Sequence, residues 1–263
     1  MLEVSHIYKS YGKTSILGGV SLKAERGEVV GIAGANGSGK STLLSIMCGL
    51  IRPDSGGAAL DGANVFRDSR ARRRLSLVPQ ESAVFDDLSV RDNIRFWSSA
   101  YKVKYEPWLM APSDMAKKAR VLSGGMRKRL NVELALVHTP DFLLLDEPTS
   151  GLDLVYQLQV MEIISKLKNE SRGVVLTSHN ADELWACDTI YVLRDKLFVY
   201  SGAPSGFSGK ERFREQLYEV ISGFRHSGES GAMRQFAGNR QIPGFRHSGE
   251  SSAMRQFAGD RQT

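Results

Sequence analysis

A chain of 263 residues, of which 41% are hydrophobic, is long enough to bury a core in one large domain or in a domain with a subdomain. No apolar run approaches the roughly 18 residues that span a bilayer, and the start, MLEVSHIYKSYG, lacks the pattern of a signal peptide, so we expect a soluble protein. The net charge of +6 is too small to argue for nucleic acid as a partner. Cys48 and Cys187 have no paired spacing, which indicates buried thiols rather than a disulfide or a metal site.

The predicted elements change character near residue 28. Residues 1–27 have the pattern of short antiparallel strands around the segment YGKTS. From EVVGIAG onward, strand-like runs alternate with helical ones, which is typical of a mainly parallel α/β sheet. The first of these helices is predicted over STLLSIMCGL, and RRRLSLVPQ predicts a strand that ends at Gln80.

The second half of the chain continues the alternation. Ser89 and Asp92 form a capping box at the start of the helix SVRDNIRFWSSAY, and another helix should follow Gly125. DFLLLDEPTS predicts a central strand that ends in acids. The segment DLVYQLQVMEIISKLKNESRG after it predicts a long helix, and Gly173 can form its C-terminal cap. VVLTSHN is the next predicted strand, and TIYVLRDKLFVYSG predicts a terminal hairpin.

The segment GANGSGKST, at residues 34–42, is a phosphate-binding loop between a predicted buried strand and a predicted helix. Glycines let backbone amides turn inward around phosphates, Lys40 can reach the β- and γ-phosphates, and the Ser41 hydroxyl can ligate Mg²⁺. The alternative is a glycine-rich turn without a ligand. The predicted ATP-binding residues of this loop are Gly34, Asn36, Gly37, Ser38, Gly39, Lys40, Ser41 and Thr42.

Two acids follow the predicted strand FLLL. Asp146 lies at the carboxyl end of a buried strand, where α/β sheets bind ligands, and can hold Mg²⁺ through water. Glu147 is one residue further and can accept a proton from an attacking water as a general base. The alternative is a pair of acids in a turn before Pro148.

A second glycine pair stands in VLSGGMRKRL, residues 121–130. Two glycines are unfavourable inside a helix but acceptable if Ser123 caps a helix that begins here. The first amides of that helix would then be bare, which makes an anion site. The alternative is a glycine-containing helix start with no ligand.

Five motifs in order resemble those of the ATP-binding subunit of an ATP-binding cassette (ABC) transporter: GANGSGKST, LSGGM, FLLLDEP, SGLD and TSHN. The resemblance covers residues 1 to about 221. It implies an ATPase that uses ATP and Mg²⁺, with a P-loop NTPase core, an N-terminal antiparallel β subdomain and an inserted helical subdomain. We expect the ATPase domain to span residues 1–222 and the helical subdomain about residues 81–130.

The resemblance assigns further roles by position. Tyr11 matches the aromatic residue that stacks on adenine, although it could be a core tyrosine on an edge strand. Gln80 matches a catalytic glutamine that touches Mg²⁺ and the water, and otherwise would be a loop residue. His179 matches the catalytic histidine that contacts the γ-phosphate and holds Glu147, and otherwise would be a structural cap.

The resemblance also implies a second ATPase subunit, identical or different, packed head to tail. Ser123, Gly124 and Gly125 would then cover the ATP bound by the partner. Asp153 matches an acid at the dimer seam, and could equally cap the following helix.

Two departures from the family pattern affect the expected partner. Met126 replaces the commoner Gln at the end of LSGGM, which is the family's signature segment. This form resembles subunits of exporters whose membrane protein is a separate chain. The stretch between Gln80 and Ser123 is shorter than the family's helical subdomain, as if one helix were missing, and this region contacts the membrane subunit.

Two basic segments remain. RDSRARRRL has five Arg in eight residues before Leu75; it could meet lipid or nucleic acid, but a solvated helix face is the favoured interpretation. In the tail, residues 223–241 recur as residues 244–262 with 17 of 19 positions identical, and we expect residues 223–263 to be disordered. A peptide-binding or RNA-binding tail is the alternative.

The sequence therefore predicts an ATP-hydrolysing subunit that dimerises on ATP and powers a separate transmembrane permease, as an exporter. It would lie at the cytoplasmic face of the cell membrane through that permease, with no nucleic acid partner. The alternatives are a soluble ABC-type ATPase outside transport and a regulatory cassette that has lost hydrolysis.

Overall fold

The computed structural model describes residues 1–81, 83–152 and 154–223. The strands and helices are β1 (Leu2–Tyr11), β2 (Thr14–Ala24), β3 (Val29–Ala33), α1 (Lys40–Met47), β4 (Ser55–Leu60), β5 (Ala63–Asn64), α2 (Ser69–Arg72), β6 (Leu75–Val78), α3 (Val90–Tyr101), α4 (Gly124–Leu136), β7 (Phe142–Asp146), α5 (Leu154–Asn169), β8 (Gly173–Ser178), α6 (Ala181–Trp185), β9 (Thr189–Arg194), β10 (Leu197–Gly202) and α7 (Lys210–Ser222). Within these ranges of the chain, no helix has the length and apolar character needed to cross a membrane.

A mainly parallel sheet places the site. Its strand order in the described residues is β10-β9-β3-β8-β7-β6, and every neighbouring pair is parallel except the antiparallel edge pair of β9 and β10. The chain leaving β3, β8, β7 and β6 therefore emerges at one edge of the sheet, where an α/β fold binds its ligands. This confirms the predicted fold class.

The N-terminal strands form a separate antiparallel sheet in the order β2-β1-β4-β5. Its hairpin turns at Gly12, whose φ of 58° suits glycine, and Tyr11 pairs with Thr14 across the turn. The predicted antiparallel strands around YGKTS are confirmed.

Buried side chains lie on both faces of the parallel sheet. One cluster fills the space between the antiparallel sheet, α1 and the parallel sheet, and includes Leu43, Leu44 and Ile32. The cluster on the other face joins the sheet to α5, α6 and α7, and includes Ile163, Leu184 and Phe213. A parallel sheet covered on both faces explains the continuous apolar runs of β7 and β8.

A third cluster joins α3 to α4. Ser89 caps α3 as predicted, since its Oγ accepts a hydrogen bond from the Asp92 amide at 3.1 Å. Between Tyr101 and Gly124 the structure has two 3-10 turns and no α-helix, which fits the expected shortening of the helical region. The comparison with the family's usual length stays a prediction.

A buried carboxylate holds the segment between α3 and α4, which the sequence predicts to be shortened. Glu133 of α4 is fully buried, and its oxygens accept hydrogen bonds from the amides of Trp108 at 3.2 Å, Leu109 at 2.7 Å and Met110 at 3.0 Å. The Tyr105 hydroxyl donates to the same carboxylate. Burial and the adjacent Glu133 raise the pKa of Tyr105, so its hydroxyl keeps the proton it donates. The segment thus stays against α4 without a helix of its own.

Two predictions about the second half of the chain were wrong. Gly173 does not close α5, which ends at Asn169; it begins β8, where a Cβ would lie 2.1 Å from the Phe142 ring. The hairpin of β9 and β10 is not terminal, because α7 follows it and buries Phe213 and Leu217. No side-chain cap marks the start of α7, so the sequence carried no strong start signal.

The arginine-rich segment is only partly a solvated helix face. Arg72 donates to the Val65 carbonyl at 2.8 Å, and Arg74 and Arg26 bind the carboxylates of Asp61 and Asp141. This network joins the antiparallel sheet to the start of β7. The predicted tail, from residue 224 on, lies outside the described residues.

Candidate functional site

The phosphate-binding loop runs from the end of β3 to the start of α1. Gly39 is the N-cap of α1, with φ of 106° and no side-chain acceptor for the first amides of the helix. A Cβ at Gly34 would lie 2.5 Å from the Leu193 carbonyl, and one at Gly39 would lie 2.8 Å from the Ile16 side chain. The glycines therefore let the loop pack tightly while its amides stay available to an anion.

Lys40 lies inside this loop. Its side chain is 5% exposed, and its ammonium donates to the carbonyls of Gly34 at 2.9 Å and Ala35 at 3.1 Å. The Ser38 hydroxyl is buried and has no hydrogen-bond partner. A buried cation and an unpaired buried hydroxyl in one loop fit a phosphate chain.

The rest of the loop faces outward. Asn36 and Gly37 are exposed, Ser41 is exposed at the first turn of α1, and Thr42 is half-buried beside it. These positions suit side chains that meet a ligand rather than the core.

Thr177, at the end of β8, orders the two acids that follow β7. Its hydroxyl donates to Asp146 Oδ1 at 2.7 Å and accepts a hydrogen bond from the Glu147 amide at 2.9 Å. Asp146 and Thr177 are buried, so both groups are held at fixed positions. Sequence reasoning missed Thr177, although a threonine at the carboxyl end of a buried strand was a usable signal.

Glu147 is the point where the predicted catalytic residues meet. The Lys40 ammonium is 3.6 Å and His179 Nδ1 is 3.7 Å from Glu147 Oε1, while Gln80 Nε2 donates to Glu147 Oε2 at 3.3 Å. Glu147 has φ of 48°, in the left-handed region that non-glycine residues rarely adopt. The backbone is thus bent so that its carboxylate faces these three side chains.

Local turns position His179. The Asn180 amide donates to Ser178 Oγ at 2.8 Å, and the Asn180 side chain caps α6 by accepting from the Asp182 amide at 2.8 Å. His179 stands between these turns, with more than half of its side chain exposed. A cavity of about 140 Å³ lies beside it, lined by Glu147, Thr149, Ser150, Gly151, Gln157, Ser178, His179, Asn180 and Glu183.

Tyr11 stands at the hairpin turn of the antiparallel sheet. Half of its surface is exposed, so the alternative of a core tyrosine is wrong. Ile16 of the same hairpin lies against Gly39, which puts the hairpin beside the phosphate-binding loop. The position is suitable for an aromatic ring that stacks on a base.

The signature segment forms the predicted capped helix start. Ser123 is the N-cap of α4, and its Oγ accepts a hydrogen bond from the Met126 amide at 3.3 Å. The two glycines have different surroundings: a Cβ at Gly125 would lie 2.6 Å from the Tyr156 ring, whereas one at Gly124 would meet no atom within 4 Å. Gly125 is thus needed for packing, and only Gly124 faces open space.

In the part of the chain that the structure describes, no hydrogen bond or ion pair connects residues 123–125 to the phosphate-binding loop. Asp153, the other residue predicted to serve a partner's site, lies outside the described residues. The predicted site therefore divides into one group of converging side chains and one separate helix start.

Comparison with known proteins decides the family. The profile of the family described as "ABC transporter" matches residues 17–150. The lipopolysaccharide export system ATP-binding protein LptB of Acidithiobacillus ferridurans is 34% identical over an alignment of 218 residues, and the match covers 78% of this chain and 90% of that protein. The chain belongs to the ABC transporter family.

Two further relatives agree with this assignment of the cassette. The linearmycin resistance ATP-binding protein LnrL of Bacillus subtilis (strain 168) is 32% identical over 205 residues, and the match covers 73% of this chain and 66% of LnrL. The dimeric structure of the ATP-binding cassette MJ0796 in a post-hydrolysis state, bound to ADP and Pi, has a TM-score of 0.71 at 25% identity and covers 79% of this chain and all of that one. This chain is therefore an ABC ATPase, an ATP-binding subunit of transporter type.

The oxygen groups around the cassette's phosphate-binding loop also fit Mg²⁺. Ser41 offers a hydroxyl, Asp146 a carboxylate, and Gln80, whose amide nitrogen is turned to Glu147, keeps its carbonyl oxygen. Mg²⁺ prefers such oxygen ligands and completes its shell with water and phosphate rather than with an all-protein cage. Among the described residues, no group of three or more His, Cys, Asp or Glu side chains could hold a metal ion.

Proposed function

We propose that this cassette hydrolyses Mg-ATP in a head-to-tail dimer and powers a separate transmembrane permease that exports its cargo. The observation that carries the proposal is the convergence of Lys40, Gln80 and His179 on the carboxylate of Glu147, within 3.3 to 3.7 Å.

ATP would bind with its phosphates against the bare amides of α1. The Lys40 ammonium would exchange its bonds to the Gly34 and Ala35 carbonyls for phosphate oxygens, and the Ser38 hydroxyl would gain its partner. Tyr11 would stack on the adenine from the neighbouring hairpin. Ser41, Asp146 and Gln80 would hold Mg²⁺, which neutralises charge on the phosphate oxygens when it is bound.

Hydrolysis would then use Glu147 as the base. A water attacks the γ-phosphorus, its proton passes to the Glu147 carboxylate, and the bond to the ADP oxygen breaks. His179 and Gln80 orient the carboxylate and the water from either side of Glu147. A cassette without hydrolysis would not need this arrangement, so we favour the active enzyme over a regulatory one.

The second subunit would complete the site with its own α4. Ser123 and Gly124 are exposed, and Gly124 leaves room for a phosphate close to the first amides of that helix. The relation to MJ0796, whose structure is dimeric, supports this assembly.

The permease would contact the cleft between the parallel sheet and the helices α3 and α4. A cavity of about 500 Å³ opens there, and its lining includes Trp97, Tyr101 and His138. The exposed opening between α3, α4 and the edge of the sheet, rather than any buried polar atom, would receive the permease. The contact would place the cassette at the cytoplasmic face of the membrane.

Export is the direction that the relatives support. LptB is named as part of an export system and LnrL as a resistance protein, and Met126 is the residue that resembles exporter subunits. A membrane protein of six helices encoded beside this chain would support the permease, and its absence would favour a cassette outside transport.

Mixing two inactive variants tests the dimer. Lys40→Ala removes the phosphate-binding ammonium, and Ser123→Arg fills the space in front of α4, so each homodimer has two damaged sites. A mixed dimer has one doubly damaged site and one intact site. We expect mixing to restore ATP hydrolysis above either variant alone and to restore dimerisation with ATP on a sizing column.

A chain with both substitutions is the matched control, because no mixture of it with either single variant contains an intact site. Recovery in that control would point to contamination rather than complementation. If the two single variants recover neither hydrolysis nor dimerisation while the unmodified protein shows both, the assignment of Ser123 to the partner's site is wrong.

A further inference from the structure

Lys128 of α4 forms a contact that the proposed reaction does not use. It lies five residues after Ser123, and its ammonium donates to the backbone carbonyl of Ser150. Ser150 belongs to the loop after β7 and is only three residues from Glu147. Lys128 therefore joins the helix that carries the signature segment to the loop that carries the catalytic acid.

Neighbouring contacts make this connection stiff. The Tyr156 ring packs against Gly125, and the Arg129 guanidinium lies 4.9 Å from the centre of the same ring. Arg129 also donates to the Gln159 side chain of α5. The first two turns of α4 and the first turns of α5 are thus packed together, with Lys128 contacting the loop between Glu147 and α5.

Lys128 also acts on the carboxylates near the site through its charge. Burial lowers the pKa of Lys128, while the charges of Glu147 and Glu183 act in the opposite direction. Glu183 lines the cavity beside Glu147 and His179, and its own pKa is raised, first by burial. The ammonium is thus close enough to both acids for their charges to stabilise it.

We propose that Lys128 is a positioning residue that links the two ATP sites of the dimer. The proposal rests on the head-to-tail dimer proposed above. When Ser123 and Gly124 of one chain meet the phosphate of the partner's ATP, α4 takes a defined position. The bond from Lys128 to Ser150 transmits that position to the loop that holds the chain's own Glu147. Occupancy of one site would in this way set the geometry of the other.

Three single variants separate this role from a structural one. Lys128→Met keeps the length of the side chain and removes the ammonium, and Lys128→Arg keeps the charge and the donor. Arg127→Met is the matched control, because Arg127 is the preceding cation on α4 and pairs with Asp86 instead of the catalytic loop. Each full-length variant is assayed for ATP hydrolysis over a range of ATP concentrations, with the melting temperature and the affinity of the nucleotide measured alongside.

We expect Lys128→Met to lower kcat about tenfold, because small displacements of catalytic groups have effects of this size or larger. Its Hill coefficient for ATP should fall below that of the unmodified protein, since coupling between the sites adds to the cooperativity of dimerisation. Nucleotide affinity and melting temperature should stay unchanged. Lys128→Arg should restore most of the activity, and Arg127→Met should change kcat less than about twofold.

Dimerisation separates a failure of this proposal from a failure of the dimer. In the Glu147→Gln background, ATP should still drive dimerisation of Lys128→Met on a sizing column. If the Glu147→Gln chain itself forms no dimer with ATP, the head-to-tail dimer is wrong and the linkage is wrong with it. If that dimer forms, three results overturn the role of Lys128 alone: unchanged kcat and Hill coefficient in Lys128→Met, an equal loss in Arg127→Met, or a fall in melting temperature that accounts for the lost activity.

Discussion

Helices α1 and α4 begin in similar ways but in different surroundings. Both start with glycines that leave backbone amides open to an anion. Beside the start of α1, the buried ammonium of Lys40 lies 3.6 Å from the carboxylate of Glu147. At the start of α4, Ser123 Oγ accepts a hydrogen bond from the Met126 amide of its own helix, and Gly124 faces open space. We infer that both helix starts can attract phosphate, whereas hydrolysis needs the side chains that converge at the edge of the parallel sheet.

The largest expected effect breaks the α1 site and leaves binding intact. Glu147→Gln removes the proton acceptor, so we expect turnover to fall by about 10²- to 10⁴-fold while ATP still binds. Single-turnover hydrolysis and a nucleotide-binding assay check the two halves of this result. A near-normal single-turnover rate would remove Glu147 from the role of base.

A smaller effect, on stability, is expected from changing Glu133 of α4. Glu133→Gln replaces one acceptor oxygen by an amide group, so buried amides among residues 108–110 lose a partner. Each such loss costs about 1–3 kcal/mol in the free energy of unfolding. Urea unfolding measures the change, and Glu162→Gln, at an exposed position of α5, is the surface control. An unchanged unfolding midpoint would show that Glu133 does not hold the shortened segment.

The smallest effects compare the two glycines of the signature segment. Gly125→Ala would place a methyl group 2.6 Å from the Tyr156 ring, and we expect overpacking to destabilise the fold by about 1–3 kcal/mol. Gly124→Ala meets open space and should leave stability unchanged or raise it by up to about 1 kcal/mol, because alanine favours the helix. Its ATP hydrolysis should nevertheless fall, since in the proposed dimer the methyl group would face the partner's nucleotide. Thermal unfolding and ATPase rates are measured for both variants. An equal loss of stability in Gly124→Ala and Gly125→Ala would contradict the different roles of the two glycines.

Motifs that depend on neighbouring residues were predictable, and contacts between distant residues were not. The phosphate-binding loop, the acids after β7 and the cap at Ser123 follow from local spacing, and the structure has each of them where the sequence predicts it. The packing of Tyr156 on Gly125 joins two helices that are far apart in sequence. The same holds for Glu133 and the amides of residues 108–110. No periodicity or spacing rule encodes such pairs, because they exist only once the elements are packed.

The position of His179 at Glu147 shows an intermediate case. A histidine after a strand carries little information by itself, and the family resemblance supplied its role. The sheet order then explains the contact, since β8 and β7 are neighbours and their carboxyl ends lie side by side. The prediction for Gly173 was wrong because a glycine near a helix end fits the local pattern of a cap. The distant Phe142 ring, which leaves no room for a Cβ, explains why glycine is needed in β8 instead.

The left-handed backbone at Glu147 lowers the stability of the fold at the position of the proposed base. A side chain in that region costs about 1–2 kcal/mol relative to glycine, and the hydrogen bond from the Glu147 amide to Thr177 keeps it there. Selection for thermal stability alone would therefore favour glycine at position 147, which would remove the proposed base. If Glu147 is the base, selection for turnover retains a glutamate on this backbone, so we expect a related cassette that no longer hydrolyses ATP to lose this residue before it loses its fold.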